Sequence, residues 1–481
     1  VISLKNPVRM LILAVGVGLS RIGLVERDRV QPIVDLAWPR IVTGLARMSK
    51  SAVDVAMVGV GIGSAAIAGV GFASPFWGLA FTIGGGVGAG TIALVSQRFG
   101  AEAYLRMGQA VRSSVVLVIL LTLPIVAVFW LFPEYLIGLL SNDPEATRLG
   151  SAYLRVLAFG IPFAGVNLIG GRILIGADDA WSPMVIRAGG AVTNVVLNAV
   201  FIFGLQFGVV GAALGTVLSN VFVTVTFVIG LINGRLPWIG SFPIYVDPDR
   251  TYFEQETIGD LLGIGLPVIG RNMVRSVARF PMLAIVGLFG PSVVAAYVIS
   301  RRIWGLLNTP GWGFGLAASS LVGQALGDGD ERTAEAYGWE IMHFSVATYV
   351  LAAVLVFVFA DPIVAAFVGD GNETTVSVAV PLVYAACAAI VAQGINRSIA
   401  GALDATGDTR WPFYGRVLGI FGIAIPVTYL GATTTLGIVG LYLAYFAESV
   451  VPAAINYYRF QTGKWRSISR GYRPASVSDG D

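Results

Sequence analysis

The chain has 481 residues, 56% of them hydrophobic and 12% charged, with a mean hydropathy of +0.78. Soluble domains carry about 25% charged residues, so this composition excludes an ordinary globular protein of the aqueous phase and describes a polytopic membrane protein. A net charge of +3 is too small for a nucleic-acid surface, and a single cysteine, Cys387, excludes an internal disulfide.

In chain order, residues 1–32 contain a short apolar run, Met10 to Ser20, between Arg9 and Arg21. No small-residue cleavage site follows and Arg27, Asp28 and Arg29 come next, so the run reads as an interfacial helix of a cytoplasmic N-terminal segment. Because about 20 apolar residues cross a bilayer, runs bounded by charge, proline or glycine predict six spans within 33–232. They lie near 33–60, 65–95, 110–132, 151–175, 184–206 and 209–232. Residues 233–259, with three prolines and mixed charge, read as a cytoplasmic linker. Six more spans follow within 260–458, near 260–288, 293–322, 338–360, 376–402, 413–432 and 436–458, and residues 459–481 form a cytoplasmic tail.

The second set copies the first. Pro39, Arg47, Val58, Gly59 and Ser64 recur 228 residues on as Pro267, Arg275, Val286, Gly287 and Ser292. Further along, Gln97, Asn167, Asp179, Pro183 and Gly211 recur as Gln324, Asn396, Asp408, Pro412 and Gly440, at shifts of 227 to 229. Such a period means two copies of one structural unit. The expected fold is therefore all-α and integral to the membrane: twelve transmembrane helices as two pseudo-symmetric six-helix lobes around a central cavity. Arg98, Arg106, Arg112, Arg187, Arg235, Arg332 and Arg410 lie in or beside even-numbered connections, whereas odd-numbered ones are uncharged or acidic, as at Asp143 and Asp361. By the positive-inside rule both termini are cytoplasmic, and six spans per copy give the lobes one orientation.

Ionisable groups in apolar helices cost at least ~2.5 kcal/mol each on insertion scales and so ask for a role. Asp54 lies on the first span, fifteen residues past Pro39, and its repeat counterpart is Met282. Asn194 and Asn198 are four apart on the fifth span and Asn167 is mid-span on the fourth; grouped around a cavity they would serve Asp54 as partners in binding a proton or sodium ion. Lys50, one turn before Asp54, either pairs with it during transport or only neutralises it. Interhelical glue is the alternative role for the asparagines. Arg271, Arg275 and Arg279 share a four-residue spacing, with Arg301 and Arg302 on the eighth span, Arg397 on the tenth and Glu448 on the twelfth. These read as salt bridges or gates, or else as a basic cavity for an anionic or lipid-phosphate substrate. Arg47, Arg275, Asn272 and Asn396 are the expected cavity residues.

Other features read as structural. The glycine runs at 84–90 and 311–317 lack the Lys-Ser/Thr ending of a phosphate loop and are expected to serve helix packing. His343, the only histidine, is expected at the start of the ninth span without ligand partners, and Asp179 and Asp408 as helix-start caps. Asn372-Glu373-Thr374 matches a glycosylation acceptor.

These residues together resemble the multidrug and toxic compound extrusion (MATE) family of the superfamily that includes oligosaccharide-lipid flippases. The carriers are LAWPR at 36–40, VDVAMVG at 53–59, GQ-x-LGDGD at 323–330, N-x-x-x-N-x-x-FIFG at 194–204 and GDTRWP at 407–412, within a similarity spanning roughly 30–460. The resemblance implies export of small molecules against an inward proton or sodium gradient by alternating access, with no cofactor other than the coupling ion, no enzymatic activity and no nucleic-acid partner. Membrane lipids would surround a functional monomer in the cell membrane. Asp54, Pro39, Asn194 and Asn198 are similar to the DNA-damage-inducible subgroup; relatives named for norfloxacin export have a helix-seven acid where this chain has Asn272, Arg275 and Arg279. Two departures stand out: Asn198 replaces a second aspartate common in archaeal relatives, and Lys50 replaces a tyrosine. A flippase for lipid-linked or anionic substrates is the alternative function.

Overall fold

The computed structural model describes residues 6–141, 143–368 and 373–473, so Asn372 lies outside the described residues. Without water, backbone hydrogen bonds must close within each segment, and helices do this. The first half comprises α1 (Pro7–Arg21), α2 (Arg27–Gly61), α3 (Ser64–Gly100), α4 (Tyr104–Leu131), α5 (Pro133–Gly138), α6 (Pro144–Leu157), α7 (Ile161–Gly176), α8 (Trp181–Ala199) and α9 (Gly208–Asn233). A short antiparallel hairpin, β1 (Arg235–Leu236) with β2 (Gly240–Ser241), precedes α10 (Gln255–Val277) and α11 (Arg279–Gly287). Then come α12 (Pro291–Leu307), α13 (Thr309–Gly327), α14 (Glu331–Val358), α15 (Ala360–Val368), α16 (Glu373–Thr406), α17 (Arg410–Val417), α18 (Ile425–Thr433), α19 (Val439–Gln461) and α20 (Trp465–Tyr472).

Among the described residues nine helical segments are long and apolar enough to cross a membrane, and they coincide with nine of the twelve expected spans. The other three are helical but interrupted or charged. α2 carries Arg40, Arg47, Lys50 and Asp54; α10 stops at Val277, where the ring of Pro281 crowds the carbonyl four residues back; α12 gives way to α13 at Asn308, just before Pro310. Two helices start seven residues earlier than the hydropathy indicates, because caps extend them into polar sequence. Asp143 accepts from Glu145 N before α6, and Asp330 accepts from Arg332 N and Thr333 N before α14. His343 consequently sits twelve residues into α14 and not at its start.

The chain divides into two compact units, Val42–Ile269 and Val1–Ile41 with Gly270–Asp481. These borders fall inside α2 and α10, at Ile41 and Ile269, whereas the repeat borders expected from the sequence fall at 33–232 and 260–458. Ile41 and Ile269 are themselves repeat partners, so the exchange is symmetric. Glycine makes it possible. In one unit, a Cβ at Gly313 of α13 would lie 2.6 Å from Ala37 O and 2.9 Å from Ile41 Cγ1 of α2; in the other, a Cβ at Gly86 of α3 would lie 2.8 Å from Gly265 O and collide with Ile269 of α10. The glycine runs thus admit a neighbouring helix backbone to van der Waals contact, the packing role expected of them.

α1 and α20 are both tied into the unit of Val1–Ile41 and Gly270–Asp481. Arg9 of α1 pairs with Asp35 at 2.9 Å and Gly16 abuts Val30 and Phe344, while Met10, Leu11 and Val17 remain exposed. On α20, the fully buried Trp465 donates from Nε1 to Phe460 O, and Arg466 and Arg470 pair with Glu335 and Glu331. In the other unit the linker is held to α4: Arg112 donates to Thr251 O at 2.9 Å and to Asp247 O at 3.0 Å.

Gly86→Val or Gly313→Val is expected to cost about 1–3 kcal/mol of packing strain, measured as a lower Tm of the detergent-solubilised protein; an unchanged Tm would refute the close approach. A second expectation concerns pH. Backbone hydrogen bonding from Thr333, then its side chain, lowers the Asp330 carboxyl pKa below its ordinary value. The cap is therefore fully present above about pH 4 and is lost as pH falls through the lowered value. Amide exchange at Arg332 and Thr333 should rise only in that acid range, and Asp330→Ala should abolish the response.

Candidate functional site

The polar interior of Val42–Ile269 is built on four helices. On α2, Lys50 and Asp54 are one turn apart, and Lys50 Nζ donates to Asp54 Oδ2 at 2.6 Å, with side chains 26% and 27% exposed. From α8, Asn198 Nδ2 donates to Asp54 Oδ1 at 3.1 Å and to Asn194 Oδ1 at 3.4 Å. Both asparagines are buried. Asn194 Nδ2 reaches Thr216 Oγ1 of α9 at 3.4 Å, and Thr216 O accepts from Asn220 Nδ2 at 2.8 Å. Asn220 Oδ1 in turn accepts from Asn167 Nδ2 of α7 at 3.0 Å, while Thr224 Oγ1 donates to Asn167 Oδ1 at 2.7 Å. Asp54, Lys50, Asn194 and Asn198 thus meet directly; Asn167 joins through α9.

The stripe Thr216, Asn220, Thr224 was not singled out from the sequence, although its four-residue spacing places all three on one helical face. Gly215 beside it has a geometric duty. A Cβ there would collide with Asn198 Oδ1, so the missing side chain gives the amide its place. Tyr153 of α6 stands beside both Asp54 and Thr216, and a lone aromatic in an apolar run carries no sequence signal for that position.

This arrangement has the parts of a cation-exchange site. A carboxylate and amide oxygens are hard donors suited to a proton or a small cation, and Asn198 Oδ1 is buried without a hydrogen-bond partner. The Lys50 ammonium now supplies the positive charge that the carboxylate requires in an apolar setting. Nearby, Arg47 lies over the Phe81 ring at 4.2 Å, and Arg187 donates to Asn167 O at 2.9 Å.

The remaining site candidates, apart from Asp179, lie in the other unit. Pro39 is buried within α2, two residues before the unit border. Arg271 pairs with Asp404 at 2.7 Å and Arg301 with Glu448, each through two bonds. Arg271 and Arg279 both remain electrostatic neighbours of Arg275, one turn to either side, although α10 ends at Val277 and Arg279 is exposed; Arg302 is exposed too. Asn396 donates to Gln393 Oε1 at 2.8 Å and accepts from Asn456 at 2.9 Å. Asn272 is half-buried, its carbonyl accepting Ser276 Oγ. Asp179 does cap α8 by accepting from Ser182 N at 2.9 Å, but Asp408 pairs with Arg459 and leaves α17 without a side-chain cap. Arg459, invisible as its partner in sequence, wins because it brings a full charge to a buried carboxylate. No cluster of His, Cys, Asp or Glu suited to a metal occurs among the described residues.

Comparison with known proteins adds three findings. A family model described as MatE matches residues 39–200 and 267–430. A probable multidrug resistance protein NorM of Bradyrhizobium diazoefficiens is 27% identical over 435 residues, covering 89% of this chain and 92% of its own, and the multidrug resistance protein PmpM of Pseudomonas aeruginosa is 28% identical, covering 86% of each. The solved outward-facing structure of a multidrug resistance MATE family transporter of the MOP superfamily shares the fold, with a TM-score of 0.82 at 22% identity over 91% of this chain and 96% of its own.

Asn198→Ala removes the donor to Asp54 Oδ1 and is expected to cost about 1–3 kcal/mol, seen as a lower Tm. Gly215→Ala, which displaces the same amide without deleting it, should lower Tm in the same direction. Full stability in both variants would mean the network is not tightly packed.

Proposed function

The chain belongs to the multidrug and toxic compound extrusion family, and on that premise we propose that it is a secondary-active exporter of small molecules in which Asp54 couples transport to an inward cation gradient. It is a multi-pass membrane protein and not an enzyme; its relatives are named for multidrug resistance, which disfavours the flippase alternative. The arginine distribution supports cytoplasmic termini in the cell membrane, and one chain carries the whole site, consistent with a monomer among lipids. Asp54, Asn194 and Asn198, with no acid among Asn272, Arg275 and Arg279, support the DNA-damage-inducible subgroup.

The Lys50–Asp54–Asn198 arrangement carries the proposal. An ammonium already occupies the cation position against Asp54 Oδ2. A proton arriving at the carboxyl neutralises it, and a neutral carboxyl no longer holds Lys50; the side chain is released, and α2 has a proline at residue 39 about which to bend. Loss of the proton to the cytoplasm restores the pair. Substrate and proton then oppose each other through one helix with two states, and the coupling is reciprocal. Sodium is the second reading, favoured by the unpartnered Asn198 Oδ1, an oxygen free to ligate a metal cation.

In proteoliposomes, Asp54→Asn is expected to reduce gradient-driven efflux by about tenfold or more, equivalent to ~1.4 kcal/mol or more. Lys50→Ala, which removes the ammonium that the carboxylate holds and releases, should weaken the dependence on the gradient while leaving the Asp54 carboxyl in place. Imposing a pH gradient alone and a sodium gradient alone separates the two ions. Ion dependence unchanged by Asp54→Asn would refute Asp54 as the coupling group.

A further inference from the structure

The interior of Gly270–Asp481 gathers more arginines than its neighbouring carboxylates pair with. Arg271, Arg275, Arg397 and Arg416 are electrostatic neighbours, with Glu448 also facing Arg416. Both acids there are already engaged: Asp404 takes two bonds from Arg271, at 2.7 and 3.2 Å, and Glu448 takes two from Arg301. Among the described residues no carboxylate pairs with Arg275, Arg397 or Arg416. Arg416 is 7% exposed and makes one long bond, to Glu448 O at 3.5 Å, while Arg397 Nε is buried with no partner. Three guanidinium groups without counter-charge in an apolar bundle, Arg416 buried and Arg275 and Arg397 half-buried, call for an anion.

Repetition argues that this is not residual. Arg275 and Arg416 are the repeat partners of Arg47 and Arg187, and in the other unit Arg47 and Arg172 again face Arg187, whose Nε is also buried without a partner. Both copies retain the basic pair, whereas the Asp54 carboxylate has become Met282 in the second. The planar fork of arginine matches two oxygens of one carboxylate or phosphate, and the same charges repel organic cations.

We propose that Arg275, Arg397 and Arg416 form a binding site for a carboxylate or phosphate oxyanion, and that the exported compounds are anionic or zwitterionic organic molecules bearing such a group. The substrate class rests on the exporter reading above; the site itself does not. The test uses the full chain in phosphatidylcholine nanodiscs, titrated by calorimetry with benzoate, inorganic phosphate and, as a cation, tetraphenylphosphonium. Saturable binding of benzoate or phosphate is expected, weakened about tenfold or more by Arg275→Gln or Arg416→Gln and unchanged by Arg302→Gln, at an exposed position. Arg416→Lys, which keeps charge but loses the fork, should bind at intermediate strength. If Arg416→Gln does not fold, the half-buried Arg275 decides through Arg275→Gln alone. Repeating the titration with phosphatidylglycerol distinguishes sources. Arginine-dependent displacement of benzoate identifies a lipid headgroup as a competing occupant, and its absence a soluble anion; either supports the site. Absent anion binding, anion binding unaffected by the arginine variants, or saturable binding of tetraphenylphosphonium in its place would overturn the proposal. Asp54→Asn should retain anion affinity while losing coupling, so failure of coupling and failure of the anion site are told apart.

Discussion

Two close approaches of helix backbones, one at Gly86 and one at Gly313, mark where each half of the sequence takes in part of a helix from the other. Helices pack at 8–10 Å when side chains separate them, and closer only where a side chain is missing. Each glycine accepts the repeat-equivalent stretch of a helix from the opposite half of the sequence, Gly265 and Ile269 in one case and Ala37 and Ile41 in the other. α2 and α10 therefore each contribute their first part to one unit and their remainder to the other. The helix that carries Asp54 is for that reason not a private part of one half, and a displacement of its charged turn has a continuous helical path past Pro39.

Within each unit the absence of water dictates the next layer. Polar side chains must find partners in the protein, and in Val42–Ile269 they do so as a chain from Lys50 and Asp54 through two asparagines of α8 to the Thr216–Asn220–Thr224 stripe and Asn167. In Gly270–Asp481 the equivalent amide, Asn396, is bound into a different set with Gln393 and Asn456, and Asp404 and Glu448 belong to Arg271 and Arg301. Duplication retained the packing and the arginine pair, but where the first copy has Asp54 the second has Met282. One unit holds the Lys50–Asp54 pair in an amide network; the other holds arginines without carboxylate partners among the described residues.

Much of this was legible in advance because it rests on periodicity and burial cost. Asp54, Lys50, Asn194 and Asn198 stand out as polar groups at helical spacing in apolar sequence, and the structure joins all four. Thr216, Asn220 and Thr224 carry the same spacing, yet threonine is ordinary in membrane helices and draws no attention there. Gly215 and Tyr153 have no local signal, since their roles exist only against Asn198 and Asp54. Asp408 shows the converse error: its position before Pro412 copies Asp179, but Arg459, 51 residues away, claims its carboxylate. The starts of α6 and α14 lay beyond hydropathy because caps, not apolar residues, extend them.

From sequence alone came the membrane setting, the helical class, the two-copy architecture and the polar side chains that meet around Asp54, because composition, period and insertion cost are local or additive properties. The tertiary structure alone decided which half of the sequence each segment packs with, which acid neutralises which arginine, and that Arg275, Arg397 and Arg416 have none among the described residues. Those outcomes depend on distances between groups far apart in the chain. They are settled by which backbones glycine allows to touch, and by the competition of several charges for few partners.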